Sequence, residues 1–372
     1  MRRAALRLFS VAVTVAALAV VGTVQPAHAL IGEAVFVQTN DPGGNSIVAY
    51  ERRPGGGLLE QAVYGTGGLG GRASGSVVDP LASEGSVVLD RPAGLLFAVN
   101  AGSDSLSVFR VLGDRLHLDQ VVPSGGAFPV GVAVSGHLLY VLNGGSSGSV
   151  SGFRIAGGFL EPIRGSERSL GLAGDNPPFY LASPGQIGFS PDGGKLVVTT
   201  KTNGLVDVFS VNPSGRLSEA PATTAVGGNP FSFVFDPAGR LALVNAADNS
   251  LGTYAINRDG TLTAIGAPVS DGQAAACWIT VAGGVELVAN AGSGTISSYR
   301  INRDGSVSLL NPAAASGIPG AIDMAASGPF LYAQSGGSAS VDAYRVGDGG
   351  SLSLVQSTAV PDGADQEGIA AG

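Results

Sequence analysis

One unit recurs along this chain: an apolar strand, a polar turn, a second alternating strand ending in an aromatic residue, a glycine turn and a third strand. The aromatics act as a ruler. They fall at Tyr50, Phe109, Phe153, Phe209, Tyr254, Tyr299 and Tyr344, with gaps of 59, 44, 56, 45, 45 and 45 residues. Alternation continues past them to Val111, Ile155, Val211, Ile256, Ile301 and Val346, as expected where a strand face packs on a neighbouring sheet. About nine to eleven residues before each aromatic, a preceding strand ends at Thr39, Asn100, Asn143, Thr200, Asn245, Asn290 and Gln334. Turns such as Asn257-Arg258-Asp259-Gly260, Ser190-Pro191-Asp192-Gly193 and Asp236-Pro237-Ala238-Gly239 punctuate the units.

Helical alternatives fail on punctuation. The 372 residues include 59 Gly and 21 Pro, and beyond residue 29 no stretch free of both exceeds 12 residues, Arg240 to Leu251. With 44% hydrophobic and 13% charged residues, the chain has material for a large core and is not disordered. Seven units of four antiparallel strands close most simply as an all-β seven-bladed β-propeller around a central channel. The C-terminal Glu367-Gly368-Ile369-Ala370-Ala371 resembles an innermost strand whose continuation, Ala34 to Val37, lies at the other end of the chain. The C-terminus is therefore expected to complete the first blade, removing an exposed sheet edge. A single propeller domain over 30–372 follows.

Residues 1–29 read as a secretory signal peptide: Arg2, Arg3 and Arg7, an apolar run from Leu8 to Val24, and a small-x-small ending at Ala27-His28-Ala29. Cleavage is expected after Ala29, giving a secreted, extracellular chain with no membrane span. The alternative, a retained anchor, must span with about 17 apolar residues, which is short. Removal of the leader leaves 17 basic against 28 acidic residues, a balance of −11 that repels nucleic acid and anionic lipid. The lone Cys277 excludes an intrachain disulfide framework, and its apolar surroundings mark a buried structural thiol.

The segments Leu96-Phe97-Ala98-Val99-Asn100-Ala101-Gly102-Ser103 and Leu287-Val288-Ala289-Asn290-Ala291-Gly292-Ser293-Gly294-Thr295-Ile296-Ser297 resemble the repeat core of seven-bladed lactonase-like propellers. So do Phe189-Ser190-Pro191-Asp192-Gly193 and the Arg-Asp-Gly turns. That family includes bacterial 6-phosphogluconolactonase and carboxymuconate-cyclising enzymes, and neighbours the YVTN surface-protein repeats. The resemblance spans essentially residues 32–372, rests on turn and packing residues, and so implies the fold more than the chemistry. One departure matters. Enzymatic relatives carry a His just after the blade's Pro, where this chain reads Pro129-Val130-Gly131, Pro184-Gly185-Gln186, Pro230-Phe231-Ser232 and Pro319-Gly320-Ala321. His117 and His137, the only two beyond the leader, lie elsewhere. An acidic, exported chain also suits a phosphosugar poorly, which argues against 6-phosphogluconolactonase activity itself.

Two long connections, Gly65 to Glu84 and Gly165 to Ser183, are expected at the channel mouth as lids or binding loops. Aligning the inner strands places Gln186, Ser232, Trp278, Asp323 and Glu367 at matching positions in apolar runs. A water-filled channel would satisfy such polar groups without further function. The sharper reading is a pocket with Trp278 as stacking wall, Gln186 and Ser232 as contacts, Glu367 and Asp323 as acid/base groups, and Lys201, one of two lysines, polarising a carbonyl. Asn100, Asn143, Asn245 and Asn290 form a ring of further candidates, although Asn at strand ends commonly caps turns. No cofactor is implied. No zinc-type spacing or calcium ladder occurs, and an ion in the channel is the one metal these residues leave open. Two functions remain: a lactonase or cyclase acting on a cyclic ester at the channel mouth, or a non-catalytic binding propeller, in either case monomeric, for a small molecule, cell-wall polymer or protein.

Overall fold

The computed structural model describes residues 33–372. The leader expected at residues 1–29 lies outside them. Seven antiparallel sheets are laid out in sequence order, the first strand of each lining the axis. Those first strands are Val87–Asp90 of blade two, Pro129–Ser135 of blade three, Pro184–Phe189 of blade four, Pro230–Phe235 of blade five, Ala276–Ala282 of blade six and Ala321–Ser327 of blade seven. Blade one takes its first strand from the C-terminus. Ile369–Ala371 pairs antiparallel with Ala34–Gln38, Val35 facing Ala371 and Val37 facing Ile369. Each innermost strand packs against those of the two neighbouring blades, so the ring is closed as the sequence predicts.

Alternation explains how one strand serves two interfaces. In Ala34–Gln38, Ala34 and Phe36 pack on Leu96, Ala98 and Phe109 of blade two, while Val35 and Val37 pack on Tyr332, Val341 and Ala343 of blade seven. Strands buried on both faces read as continuous apolar runs, as Leu95–Asn100 and Leu138–Asn143 do. The aromatic ruler lies in these inter-blade layers: Tyr50, Phe109, Phe209 and Tyr299 are fully buried. The hairpin turns behave as expected, with Gly260 and Gly305 at φ of +94° and +92°.

A β-bulge recurs near the start of the inner strands. The pairing register shifts between Pro129 and Gly131, Pro184 and Ile187, Pro230 and Phe233, Ala276 and Trp278, and Ala321 and Met324. Gln186, Ser232, Cys277 and Asp323 sit within these bulges. An extra residue there bends the strand and re-aims its side chain, which is why polar residues interrupt the apolar runs at one repeated position.

Candidate functional site

The connection after Leu58–Gly65 does not merely cover the channel mouth; it descends into it. Its upper part pairs with the second long connection through a parallel bridge between Ser74 and Phe179, with Ser74 N–H donating to Pro178 O at 2.8 Å and Tyr180 N–H to Ser74 O at 3.0 Å. Its lower part, Asp79 to Glu84, crosses the axis as a plug held by several blades. Trp278 Nε1–H donates to Ser83 O at 3.0 Å, Ser83 Oγ to Val130 O at 2.8 Å, and Glu84 N–H to Gly185 O at 2.9 Å. Lys201 Nζ donates to Ala82 O. Ala82 adopts φ +54°, a left-handed backbone that a non-glycine residue accepts only at a cost.

Above the plug lies a cavity of about 270 Å³. Its charged lining residues are Asp79 and Lys201, and its walls are mainly apolar, with Phe231 and Trp278 packed edge to face at 5.0 Å between centroids. Lys201 Nζ stands over the Phe231 ring at 5.2 Å, where the ring's quadrupole favours the cation. Burial nevertheless pushes the ammonium down to about 8, against the attraction of Asp79, Cys277 and Glu367. Burial pushes the Cys277 thiol up, so it stays protonated.

Below and beside the cavity, four carboxyl groups share the channel as two pairs. Asp79 is within hydrogen-bonding reach of Glu367, and Asp323 of Glu84. Within each pair the aspartate holds the backbone donors: Ala82 N–H reaches Asp79 Oδ1 at 2.6 Å, and Ile369 N–H reaches Asp323 Oδ2 at 3.2 Å. The glutamates hold fewer: Glu84 has Gly85 N–H, and Glu367 has none. Neither carboxyl oxygen of Glu367, nor Glu84 Oε2, nor Asp323 Oδ1 has an N–H or O–H partner. Two carboxylates facing each other away from water cannot both ionise, so each pair retains a proton, and it belongs on the glutamate. The shifts follow this logic. Burial first, then the neighbouring acids, push Glu367 and Glu84 well up, and burial pushes Asp323 up to about 7. Asp79 is also raised by burial, but the Glu367 hydrogen bond and Lys201 oppose the rise. The result is an aspartate carboxylate, backed by a protonated glutamate, facing an ammonium across an aromatic-walled cavity.

The sequence candidates divide accordingly. Glu367, Asp323, Lys201 and Trp278 converge on the channel. Only Lys201 and Trp278 among them line the cavity, Glu367 and Asp323 standing behind it, fully buried. Trp278 is committed to the plug through its indole N–H. Gln186 and Ser232 join neighbouring inner strands instead: Phe233 N–H donates to Gln186 Oε1 at 2.5 Å, and Ser232 Oγ to Cys277 O. The asparagines are not brought to the cavity. Asn100 Nδ2 reaches Ser107 Oγ at 2.8 Å, Asn290 Nδ2 reaches Ser297 Oγ at 2.8 Å, Asn143 Nδ2 reaches Ser149 Oγ at 3.3 Å, and Asn245 Nδ2 donates to Gly227 O at 3.0 Å. The alanines that follow, Ala246 and Ala291, line the cavity in their place. Asp79 and Glu84, not singled out from sequence, complete the constellation; their signal was being the two carboxylates, both in the last third, of a loop otherwise made mostly of Gly, Ser and apolar residues. Among the described residues no group of three or more His, Cys, Asp or Glu has the geometry to hold a metal ion, and no helix is long and apolar enough to cross a membrane. His117 is exposed, its Nδ1 at 2.7 Å from Asp119 Oδ1.

Comparison with known proteins agrees with this architecture. The family model described as "Lactonase, 7-bladed beta-propeller" matches residues 172–270, within which blades four and five fall. No curated protein sequence matches the chain. Similar solved structures include a putative 6-phosphogluconolactonase from Bacteroides fragilis, 14% identical with a TM-score of 0.70, covering 92% of this chain and 99% of that one. Another from Bacteroides uniformis is 18% identical with a TM-score of 0.69, covering 91% and 99%. The periplasmic gluconolactonase of Pseudomonas aeruginosa is 19% identical with a TM-score of 0.70, covering 90% and 98%. At these identities the likeness is one of fold. The resemblance to lactonase-like seven-bladed propellers read from the repeats therefore holds, both in one stretch of sequence and across the whole ring.

Proposed function

We propose that this lactonase-like seven-bladed propeller takes a small cyclic ester into the cavity above the plug and opens it by attack of water. The observation that carries this reading is the meeting of Asp79 and Lys201 in one cavity, with Glu367 behind Asp79. The Asp79 carboxylate takes a proton from water as its oxygen attacks the ester carbonyl. Lys201 stabilises the negative charge developing on the carbonyl oxygen. The ring C–O bond then breaks, and the proton returns from Asp79 to the departing alkoxide, leaving a hydroxy acid. A carboxylate raised by burial is a stronger base than an exposed one, and Glu367, donating to Asp79, holds its orientation.

A second reading, a binding propeller without catalysis, is favoured by one observation: Lys201 and Trp278 both spend a donor on the plug. Rates on a panel of lactones separate the two. Hydrolysis above buffer by the wild type, reduced about 10²- to 10⁴-fold in Asp79→Asn with binding retained, supports the first. No hydrolysis by the wild type together with a ligand-induced thermal shift supports the second.

We also place the mature protein outside the cytoplasm, on the leader read at residues 1–29; the similarly folded Pseudomonas aeruginosa protein is described as periplasmic. N-terminal sequencing of protein recovered from the medium should begin at Leu30, and a cell-bound chain beginning at Met1 would contradict this.

A further inference from the structure

We infer that the ligand of this cavity is a cyclic ester or ether bearing an apolar substituent, and not a polyhydroxylated or phosphorylated sugar lactone. This rests on the reading of the cavity as the site. A sugar lactone brings several hydroxyls, and each, once taken from water, needs a hydrogen-bonding partner or costs free energy. Beyond Asp79 and Lys201, the oxygen- and nitrogen-bearing side chains that could meet them are those of Asn229, Tyr180 and Ser76, whose Oγ already donates to Asp79 O. Most of the remaining wall is Val78, Leu181, Phe231, the Trp278 ring and small alanines. A phosphate fits no better: Lys201 is the sole cationic residue of the lining, already donates to Ala82 O, and faces the Asp79 carboxylate.

The apolar surface also continues outward. Val77 lines the cavity yet is 84% exposed, so it carries the apolar lining out to solvent. Phe179, 48% exposed, packs edge to face on the cavity residue Tyr180 at 4.8 Å and lies beside Gly75 of the same loop as Val77. Both residues sit where the two mouth connections pair. Val77 in the lining and Phe179 against Tyr180 give a substituent apolar surface to run along while the ring stays between Asp79 and Lys201.

Binding of inert cyclic ethers tests this without reference to catalysis. The secreted protein is titrated calorimetrically with 2-methyl-, 2-propyl- and 2-pentyl-tetrahydropyran and with 1,5-anhydroglucitol as the polyhydroxylated ring. The dissociation constant is expected to fall about tenfold from methyl to pentyl, equivalent to ~1.4 kcal/mol. Val77→Ser, at an exposed position that leaves folding intact, should remove most of that gain; the full methyl-to-pentyl gain retained in it would count against the exit. Equal affinity along the series, absence of pentyl binding, or anhydroglucitol binding as tightly as the pentyl ether would overturn the inference. Lactone hydrolysis is read separately. A protein that binds the pentyl ether and hydrolyses nothing keeps this inference and loses the catalytic one; a lactonase indifferent to chain length does the reverse.

Discussion

The proton held by each carboxyl pair has a consequence for single residues. Besides the proton that stays on Glu84, Asp323, pushed up to about 7, takes up a second below that value in the folded protein, a proton that the unfolded chain releases near 3.8. Stability should therefore fall as pH rises from about 4 to 7, by up to about 1.4 kcal/mol per pH unit for each proton so held. Lys201, pushed down to about 8 from 10.5, acts in the opposite sense: the unfolded chain binds the extra proton, and stability should rise between those values. In urea unfolding across pH, Asp323→Asn should lessen the loss of stability between about 4 and 7, and Lys201→Met should make stability rise less, or fall more, between about 8 and 10.5. The carboxylates whose values are lowered, Asp119, Asp192, Asp259 and Asp304, act below this window, whereas Glu84, Glu367, Asp207 and Glu286, all raised by burial, act in the same sense as Asp323. Glu367 offers a second check. Glu367→Gln keeps an N–H donor toward Asp79 and should retain most activity, whereas Glu367→Leu should move the acid limb of kcat/KM upward in pH. Glu367 and Asp323 were legible because inner strands repeat and a polar residue in an apolar run stands out, and Lys201 because it is one of only two lysines and follows the turn position of the fourth unit. Asp79 and Glu84 were not, since a loop has no period and its path into the channel is set by contacts with distant blades.

At the level of elements, the blades and the plug obey different physics. A blade strand is specified by alternation, and removing Phe36 from its inter-blade layer by Phe36→Ala should cost ~3–5 kcal/mol in urea unfolding. The plug has no ladder of its own and depends on individual hydrogen bonds, given and received, with blades three, four and six. Trp278→Phe keeps the ring on Phe231 but strands the Ser83 carbonyl, at a cost of about 1–3 kcal/mol. Hydrogen exchange at Ser83 and Glu84 should accelerate in that variant while blade amides stay protected; uniform protection would show that the indole N–H does not hold the plug. The sequence indicated that the two mouth loops matter, but not that one of them fills the channel. Nor did it show that the asparagine ring faces inward to its own turns: Asn at a strand end reads identically whether it caps a turn or faces a ligand.

Across the whole molecule, ring closure and the candidate site are one construction. The C-terminal segment supplies the closing strand, the Glu367 behind Asp79, the Ile369 N–H that Asp323 accepts, and Asp365, which accepts from Arg72 Nε at 2.9 Å at the mouth. Gly368 makes the junction possible: at φ +95° a Cβ there would lie 2.1 Å from Ser86 Oγ. Deleting residues 364–372 should lower the melting temperature sharply and abolish ligand binding together; an unchanged melting temperature would mean that the ring does not depend on this strand. The ring was legible from the spacing of seven aromatics, because each blade repeats the same packing problem. The site was legible only in part, because it forms where the repeat is broken. The claim that the cavity above the plug is where this protein meets its ligand is tested most directly by a crystal structure with 2-pentyltetrahydropyran bound. Density for the ring between Asp79 and Lys201, with the pentyl chain along Val77 and Phe179, is the expected result; ligand seated elsewhere on the propeller, with this cavity left to water, would contradict it.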